Sequence, residues 1–437
     1  MQFEVITARP VPAESLSKDR RSFGVGRWLT SNRFILGMAL VLSIGIPEYI
    51  HTKILAGQPV VGGGPFGIEA SVYAVLFAVI AGHMSIRKIG VLPLVSTRAI
   101  ILPTFFAAFS IAALILFSLH VQFGRFHLWT GLVITLAWYL TLTVVRSRHQ
   151  RPVIGLFGLS KGDVSKFSGL IDWKIIDSPR LLGKVAAVVV DPHADFTVAN
   201  AKFITQLVLD GTPVYHRNHF EESLTGKVRF ESHADNNFGA LLPSLSYLRA
   251  KRALDFFAAL LLLPIVVVII GIAAIAIKVT SPGPVIFTQT RIGYRGLPFP
   301  CYKLRTMRVG ANGPAFTTEN DSRITPLGKL LRKWRIDELP QIFNILAGEM
   351  SWIGPRPEAA TLATYYSSAI PFYDYRHAVR PGITGWAAVH QGNVAEVDAA
   401  HEKLDYDFYY IKYFSLWLDF LIVLKTVKTV LTGFGSR

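Results

Sequence analysis

The amino-acid sequence predicts a membrane protein of mixed α and α/β architecture. We expect four transmembrane helices, a degenerate Rossmann-like α/β module, and a monotopic, mostly helical domain with a re-entrant membrane helix. Three observations predict this. The chain of 437 residues is 51% hydrophobic but only 17% charged. Four long apolar runs precede residue 150 and a fifth follows residue 250. Between them, short apolar segments alternate with polar ones.

The predicted parts follow one another along the chain. They are a cytoplasmic tail (1–33), a four-helix transmembrane anchor (34–150), a Rossmann-like cytoplasmic module (151–250) and a helical domain (251–437), with a re-entrant helix at 254–278 and an interfacial helix at 413–424.

The chain carries a formal net charge of +16. In a soluble protein this excess would suggest a nucleic-acid partner, but the motifs and aromatic signatures of nucleic-acid-binding modules do not accompany it. A mean hydropathy of +0.39 excludes a disordered or ordinary soluble protein. We therefore expect no nucleic acid as a partner, and expect the basic residues to meet membrane lipids and a smaller anion.

The anchor is predicted from four runs that are each long enough to span a bilayer, at 34–50, 68–84, 99–121 and 127–145. The second loop carries Arg87, Lys88 and Arg98, whereas the first and third loops hold only Lys53 and Arg125. Because basic loops stay in the cytoplasm, the N-terminus and everything after residue 145 are predicted to be cytoplasmic.

The middle segment alternates apolar strands with a helix-compatible stretch at 200–209, which is typical of a parallel α/β sheet. After the first strand, Gly155-Leu-Phe-Gly158 falls short of the three-glycine dinucleotide pattern. This favours a degenerate or regulatory module, and leaves nucleotide binding as the alternative.

The fifth apolar run, 254–278, has basic residues on both flanks, so the charge rule gives it no direction. Pro264 lies inside the run and is predicted to kink a helix there. The limbs before and after it would measure about 15 Å and about 21 Å, each shorter than a hydrocarbon core of about 30 Å. A re-entrant helix satisfies both observations; a kinked fifth crossing is the alternative.

A second membrane contact is predicted at 413–424, where Asp419 is the one charged residue. Twelve residues are too short to span a bilayer, so an interfacial helix is expected. A buried core helix fits the same run.

Between these two segments lies a region dense in arginine and turn residues. In Gly354-Pro-Arg356-Pro357 the prolines limit the backbone, and planar guanidinium groups pair well with phosphate. Attraction to anionic lipid is the alternative, but it does not explain an arginine fixed between prolines. The candidate phosphate-binding residues are Arg356, Lys303, Arg305, Arg291 and Arg380.

Two adjacent carboxylates, Asp337 and Glu338, are predicted to lie between a helix at 327–336 and a second helix that begins near Pro340 and stops at Gly348. One interpretation is that Asp337 only caps the second helix. The other is that one carboxylate is a nucleophile facing a phosphate, while its neighbour helps to hold Mg²⁺. Spacing alone does not choose between them.

Six blocks in order resemble the bacterial polyprenyl-phosphate hexose-1-phosphate transferases. They are Lys251-Arg-Ala-Leu-Asp255, Ser281-Pro-Gly-Pro-Val-Ile-Phe287, Tyr302-Lys-Leu-Arg305, Ile336-Asp-Glu-Leu-Pro-Gln341, Gly348-Glu-Met-Ser-Trp-Ile-Gly-Pro-Arg-Pro357 and Val379-Arg-Pro-Gly-Ile-Thr-Gly-Trp386. The four preceding helices and the α/β module are similar to the family's long form.

The resemblance implies transfer of a hexose 1-phosphate from a UDP-hexose to undecaprenyl phosphate, with release of UMP, as the initiating step of exopolysaccharide, O-antigen or capsule synthesis. It implies Asp337 as the catalytic nucleophile, Glu338 and Asp337 at a required Mg²⁺, and Arg356 as a phosphate ligand. Glucose 1-phosphate is the expected group and galactose 1-phosphate the alternative. The resemblance further implies the inner (plasma) membrane of a bacterium, with the catalytic domain on the cytoplasmic face.

One departure from the family pattern concerns the re-entrant helix. Many relatives have Ser-Pro at the break, whereas Leu263 precedes Pro264 here, so the kink depends on the proline alone. A catalytically inactive membrane scaffold that regulates polysaccharide assembly is the competing hypothesis, and a homodimer is left open as the assembly state.

Overall fold

A computed structural model describes residues 31–53, 65–89, 97–147, 153–159, 171–176, 185, 187–191, 197–229, 243–310, 321–391 and 397–432. The chain forms two compact units, Met1–Gly226 and Lys227–Arg437. The predicted tail at 1–33 lies almost wholly outside the described residues. The other predicted boundaries, at 150 and 250, stay predictions.

The first unit begins with four long helices, one for each of the first four apolar runs. They are α1 (Asn32–Lys53), α2 (Pro65–Ile89), α3 (Thr97–Ser118) and α4 (Arg125–Ser147). Each contains a segment long and apolar enough to cross a membrane, and one helix of the second unit does too. The protein is therefore a membrane protein.

Some polar side chains inside this helix group form hydrogen bonds between helices. The Trp138 indole donates to the Ile35 carbonyl at 3.1 Å, and the His83 ring lies 2.7 Å from the Tyr139 hydroxyl. Because an unbonded polar group is costly in an apolar interior, such bonds fix which helix faces meet.

The α/β part of the first unit contains a four-stranded parallel sheet. Its strands are β1 (Val153–Phe157), β2 (Asp172–Ile176), β3 (Ala187–Val190) and β4 (Val214–His216), in the order β2-β1-β3-β4, with helices α5 (Val198–Leu209) and α6 (Arg217–Thr225). The predicted parallel sheet is confirmed.

Gly155 does not lie in the turn where the sequence interpretation put it. It is the third residue of β1, and only Gly158, with φ of 72°, follows the strand. A Cβ atom at Gly155 would come within 2.6 Å of the Ile176 side chain. Close packing between strands therefore explains this glycine without a bound ligand.

The second unit has a long helix followed by small sheets and short helices. Its elements are α7 (Leu245–Thr280), β5 (Ile286–Ile292), β6 (Pro298–Leu304), α8 (Pro326–Lys333), α9 (Gln341–Ala347), β7 (Ser351–Ile353), α10 (Ala360–Ala369), β8 (Gly382–Thr384), α11 (Val397–Lys412) and α12 (Leu416–Thr432). β5 pairs antiparallel with β6, and β7 pairs parallel with β8.

Helix α7 buries one stripe along most of its length. Ala259 and Val266 pack in a cluster with Ile342 and Met350, and further on Ile277 packs in a second cluster with Leu304 and Leu331. The opposite face exposes large apolar side chains: Phe257, Leu261, Ile265, Val268, Ile272, Ile275 and Val279. An apolar face of this extent suits lipid rather than water.

This helix is longer than the predicted segment 254–278, and it continues through Pro264 as one helix of 36 residues. Ser244 caps its first turn by accepting a hydrogen bond from the Tyr247 amide at 3.4 Å. The bend at Pro264 and the re-entrant path stay predictions.

A buried polar network joins the start of α7 to α12. The Lys251 ammonium lies 2.8 Å from Asp419, which also accepts hydrogen bonds from the Tyr247 and Tyr410 hydroxyls at 2.6 and 2.7 Å. The Ser351 hydroxyl donates to Asp255 at 2.7 Å. Because these buried charges are paired and hydrogen-bonded, the network fixes the two helices relative to β7.

Helix α12 begins three residues after the start of the predicted interfacial segment, 413–424, and ends eight residues after its end. Leu418, Leu421 and Ile422 are buried, whereas Leu416 and Val427 are more than half exposed. One face of α12 thus belongs to the core and the other is apolar and exposed; the interfacial position of this helix stays a prediction.

Candidate functional site

The two adjacent carboxylates lie in a 3-10 turn, Ile336–Glu338, between α8 and α9. Helix α8 is capped by Thr325, whose hydroxyl accepts from the Gly328 amide at 2.9 Å. Arg335, directly before the turn, has a left-handed backbone with φ of 56°. This conformation is strained for a residue with a side chain, and it directs the chain into the turn.

The expectation that Asp337 caps the second helix is wrong. The capping position of α9 is Pro340, which makes no side-chain cap, and α9 ends at Gly348 with φ of 87°. The first helix also stops at Lys333 rather than at 336. Asp337 lies about one turn before α9, so helix capping does not explain why its side chain is buried.

Glu338 is surrounded by cations from three segments. Its Oε1 accepts from Lys303 of β6 at 3.1 Å and from the Arg356 guanidinium at 2.5 Å. Its Oε2 lies 3.7 Å from Arg335. The carboxylate is only 5% exposed. Burial alone would raise the pKa of Glu338, but the charges of Arg356 and Lys303 outweigh burial and hold it well below its usual value.

Asp337 differs from its neighbour. It is 8% exposed, and the described residues place no cation within ion-pair distance of its carboxylate. Burial, together with the charge of Glu338, raises the pKa of Asp337 to about 6, although Lys303, Arg332 and Arg356 act in the opposite direction. Two neighbouring carboxyl groups with such different pKa values are typical of groups with different chemical tasks.

The loop that carries Arg356 is fixed on several sides. The Arg356 guanidinium donates to the Ile383 carbonyl at 3.3 Å, and the Arg356 carbonyl accepts from Arg376 at 2.9 Å. Arg376 in turn donates to Asp407 at 2.8 Å. At Gly354 a Cβ atom would lie 2.3 Å from the Arg380 carbonyl, so only glycine permits this approach to β8.

Arg291 lies beside this loop. It donates to the Pro357 carbonyl at 2.5 Å and to the Gln289 side chain. Burial and the nearby charge of Arg356 lower its pKa. The structure therefore brings together five of the predicted residues: Asp337, Glu338, Lys303, Arg356 and Arg291.

Two predicted phosphate ligands have their described contacts elsewhere. Arg305 donates to the carbonyl and hydroxyl oxygens of Ser281, both at 2.8 Å, at the turn after α7. Arg380 donates to the Gly348 carbonyl at 2.9 Å and lies 4.8 Å from the Tyr294 ring centroid. These contacts hold turns in place. Pro264, the residue predicted to kink the helix, lies inside α7.

Two basic residues were not among the predicted site residues. Arg335 reaches Glu338, and the charge of Arg332 lowers the pKa of Asp337. Both belong to the run Arg332-Lys-Trp-Arg335 that directly precedes Asp337. Their nearness to the carboxylates in sequence was the available signal. Arg335 contacts Glu338 directly, whereas Arg332 donates to the Thr306 hydroxyl at 2.9 Å and acts on Asp337 through its charge.

The donor chemistry fits a divalent cation that arrives with a phosphorylated ligand. Within the described ranges no cluster of three or more His, Cys, Asp or Glu residues could hold a metal alone. Mg²⁺, however, commonly takes only one or two protein carboxylates and completes its shell with phosphate and water. Asp337 and Glu338 supply such a pair.

Comparisons with known proteins extend over most of the chain. A family model described as bacterial sugar transferase matches residues 246–433. The chain is 40% identical to a UDP-N-acetylgalactosamine-undecaprenyl-phosphate N-acetylgalactosaminephosphotransferase of Aeromonas hydrophila, over 79% of this chain and 82% of that protein.

Two further relatives each match somewhat less than half of the chain. A UDP-glucose:undecaprenyl-phosphate glucose-1-phosphate transferase of Caulobacter vibrioides is 44% identical over 44% of this chain and 74% of that protein. The galactosyl transferase CpsE of Streptococcus agalactiae is 37% identical over 48% of each chain.

Neutral variants of the two carboxylates should affect stability differently. Glu338→Gln leaves Lys303 and Arg356 buried without their anion, so we expect a loss of about 3 kcal/mol. For a unit of this size that corresponds to about 6–12 °C in thermal unfolding. Because the pKa of Asp337 is raised to about 6, its negative charge lowers the stability of the folded protein, and this loss is complete above about pH 6. Asp337→Asn should therefore leave the unfolding temperature at pH 7.5 unchanged or raise it.

Thermal unfolding of both variants in the same detergent at pH 7.5 measures this difference. Asp374→Asn, at an exposed side chain in the same unit, is the control for an Asp-to-Asn change. Equal losses in the two site variants would contradict the asymmetry of the pair.

Proposed function

Because the chain belongs to the bacterial sugar transferases, a family of undecaprenyl-phosphate sugar phosphotransferases, we propose that it transfers a hexose 1-phosphate from a UDP-hexose to undecaprenyl phosphate and releases UMP. The observation that carries the proposal is the asymmetry of the carboxylate pair. Glu338 is bound by three cations, whereas Asp337 has a raised pKa and no described ion pair.

Asp337 is the proposed nucleophile. A carboxylate whose pKa is about 6 is mostly ionised at neutral pH, yet it is more basic than an ordinary aspartate. Its oxygen attacks the phosphorus that carries the sugar, and the bond from this phosphorus to the UMP oxygen breaks. The product on the enzyme is an acyl phosphate, in which the phosphorus of the sugar 1-phosphate is bonded to a carboxylate oxygen of Asp337.

The cations around Glu338 would meet the negative charge of the pyrophosphate. Arg356 and Lys303 already contact one carboxylate, that of Glu338. Planar guanidinium groups can bind two phosphate oxygens at once. As the transition state forms, these groups stabilise charge that spreads over the phosphoryl oxygens. Arg291, beside Arg356, adds charge to the same side.

Mg²⁺ is the proposed cofactor, held by Glu338 and Asp337 together with phosphate oxygens. A bound pyrophosphate would compete for Lys303 and Arg356, and Glu338 oxygens would then be available to hold the metal. When bound, the ion supplies further neutralisation of phosphate charge.

The second half of the reaction regenerates the enzyme. A phosphate oxygen of undecaprenyl phosphate attacks the same phosphorus, and the bond from phosphorus to the Asp337 oxygen breaks. The carboxylate returns and the lipid carries a pyrophosphate-linked sugar. Such a product is suited to initiate exopolysaccharide, O-antigen or capsule synthesis.

The transferred group is proposed from family analogy. Glucose 1-phosphate is our first expectation, and galactose 1-phosphate is the alternative. The Aeromonas relative, which covers both halves of this chain, adds N-acetylgalactosamine 1-phosphate to the donors to be compared.

The catalytic unit is proposed to lie on the cytoplasmic face of a bacterial inner membrane, with α7 as a re-entrant helix. Two features support this. UDP-sugars are cytoplasmic, and the basic loops of the anchor favour cytoplasmic placement of everything after residue 145. In addition, Ala259 before Pro264 and Ile277 after it both pack against the same unit.

The parallel sheet of the first unit, with β1 central in the order β2-β1-β3-β4, supports a Rossmann-like assignment for that part. We propose it as a regulatory or degenerate module.

Purified full-length protein should release UMP when given UDP-glucose, Mg²⁺ and undecaprenyl phosphate. Asp337→Asn should abolish this release, by at least about a thousandfold, because the nucleophile is lost while its shape remains. UDP-galactose and UDP-N-acetylgalactosamine in parallel reactions identify the sugar. Full UMP release by Asp337→Asn, or none by the wild type with any donor, would contradict the proposal.

The first half-reaction should depend on pH through Asp337. Without lipid acceptor, the second-order rate constant for the single release of UMP should rise about tenfold per pH unit below about pH 6 and level off above it, since only the ionised carboxylate attacks. Arg332 lowers the pKa of Asp337, so Arg332→Gln should move this limb to higher pH. Stopped-flow UMP release measures both profiles; a limb unmoved in the variant would speak against Asp337 as the titrating group.

The re-entrant path can be tested with single cysteines in a Cys301→Ala background. Arg249→Cys near the start of α7 and Leu297→Cys after α7 should both resist a membrane-impermeant maleimide in intact spheroplasts. Gln122→Cys, in the loop between α3 and α4, should react there. Reaction of Leu297→Cys alongside Gln122→Cys would instead establish a fifth crossing.

A further inference from the structure

The second unit holds most of its buried or half-buried lysines next to a carboxylate. Lys227 pairs with Glu402, Lys251 with Asp419, Lys303 with Glu338 and Lys403 with Glu358. This follows from the high cost of removing an ammonium group from water without a counter-charge.

Lys425 of α12 does not follow this rule. Its side chain is partly buried, yet no carboxylate of the described residues lies within ion-pair distance of its ammonium group. Burial and the charge of Lys428 lower its pKa to about 8. A cation in this setting would be stabilised by an anion that the protein itself does not supply there.

The neighbours of Lys425 orient its ammonium group without neutralising it. His390 Nδ1 lies 2.7 Å from the Trp386 carbonyl, which can only accept, so this nitrogen carries the proton. The other ring nitrogen, Nε2, therefore accepts from Lys425 at 2.6 Å. The ammonium also lies 5.0 Å from the Trp386 ring centroid. These contacts leave part of its hydrogen-bonding capacity unused.

The position of Lys425 connects the membrane-facing surface with the carboxylate site. On the next residue, the Thr426 hydroxyl lies 2.8 Å from the Thr384 hydroxyl at the end of β8. The adjacent Ile383 carbonyl accepts from Arg356. On the other face of α12, Val423 and Val427 are exposed, at 44% and 54%.

We propose that Lys425 binds the phosphate of the lipid acceptor and positions it for attack on the phosphosugar held by Asp337. This inference rests on the proposed function. The nucleotide pyrophosphate already has Lys303, Arg356 and Arg335 at Glu338, so a second cation one β-strand away suits a second anion. The exposed apolar residues of the same helix suit the chain of a lipid phosphate.

The test compares Lys425→Met with Lys428→Met in the full-length protein. Lys428 lies on the same helix but is exposed, so it controls for the loss of one positive charge near the membrane. Methionine keeps the length of the side chain and removes the unpaired charge. Lys425→Met should therefore unfold at the same temperature as the wild type or higher.

We expect Lys425→Met to raise the KM for undecaprenyl phosphate about tenfold or more, the loss of one charge-assisted hydrogen bond. Single-turnover release of UMP without acceptor, and the KM for the UDP-sugar, should stay at wild-type values. Lys428→Met should change neither KM by more than about twofold. This split between half-reactions is a result that a merely structural lysine would not give.

An unchanged KM for undecaprenyl phosphate in Lys425→Met, beside an active wild type, would overturn the inference alone. Lower thermal stability with equal losses in both half-reactions would make Lys425 a structural residue and overturn it too. A similar rise in KM for Lys428→Met would indicate general attraction to anionic lipid rather than a phosphate site. A wild-type protein that releases no UMP from any donor would overturn the proposed function and this inference together.

Discussion

The ion pairs of Glu338 are the interaction on which the second unit depends. One buried carboxylate joins β6 through Lys303, the loop between two prolines through Arg356, and the chain before the 3-10 turn through Arg335. Removing such an anion leaves several buried charges unpaired, which costs more than the pairs gain over apolar contacts. A second set of ion pairs supports the first, because Arg376 holds the Arg356 carbonyl and is itself paired with Asp407.

Helix α7 and helix α12 form a frame beside this site with exposed apolar surface on both helices. Each presents one face to the core and an apolar face outward, and Asp419 ties them together through Lys251 and Tyr247. The same geometry that buries Ala259 and Ile277 leaves Phe257 and Ile275 exposed. Exposed apolar faces of this extent favour an apolar surrounding over water.

The sequence allowed most of this architecture to be predicted, because apolar run lengths and strand alternation are local properties. The four anchor helices and the parallel sheet follow from them. The carboxylate pair and the cations Lys303, Arg291 and Arg356 were identified, but Arg305 and Arg380 were placed in the same group and instead bond to Ser281 and Gly348. A high density of basic residues in the sequence does not indicate which group each side chain contacts. The capping interpretation of Asp337, one of the two left open by the sequence, is wrong because a separate turn that follows the left-handed Arg335 precedes α9.

Because Glu338 is already bound by Lys303 and Arg356, it affects which anions the proposed site can bind. The cluster contains its own counter-anion, so an incoming ligand has to displace a carboxylate that two short contacts already hold. A small anion such as inorganic phosphate or chloride would only replace Glu338 as the partner of Lys303 and Arg356. It would leave the Glu338 carboxylate buried without a counter-charge. A nucleotide diphosphate brings two linked anionic groups and, with a metal ion, a replacement charge for Glu338. In the proposed function, Glu338 is therefore an internal competitor that disfavours binding of small single anions.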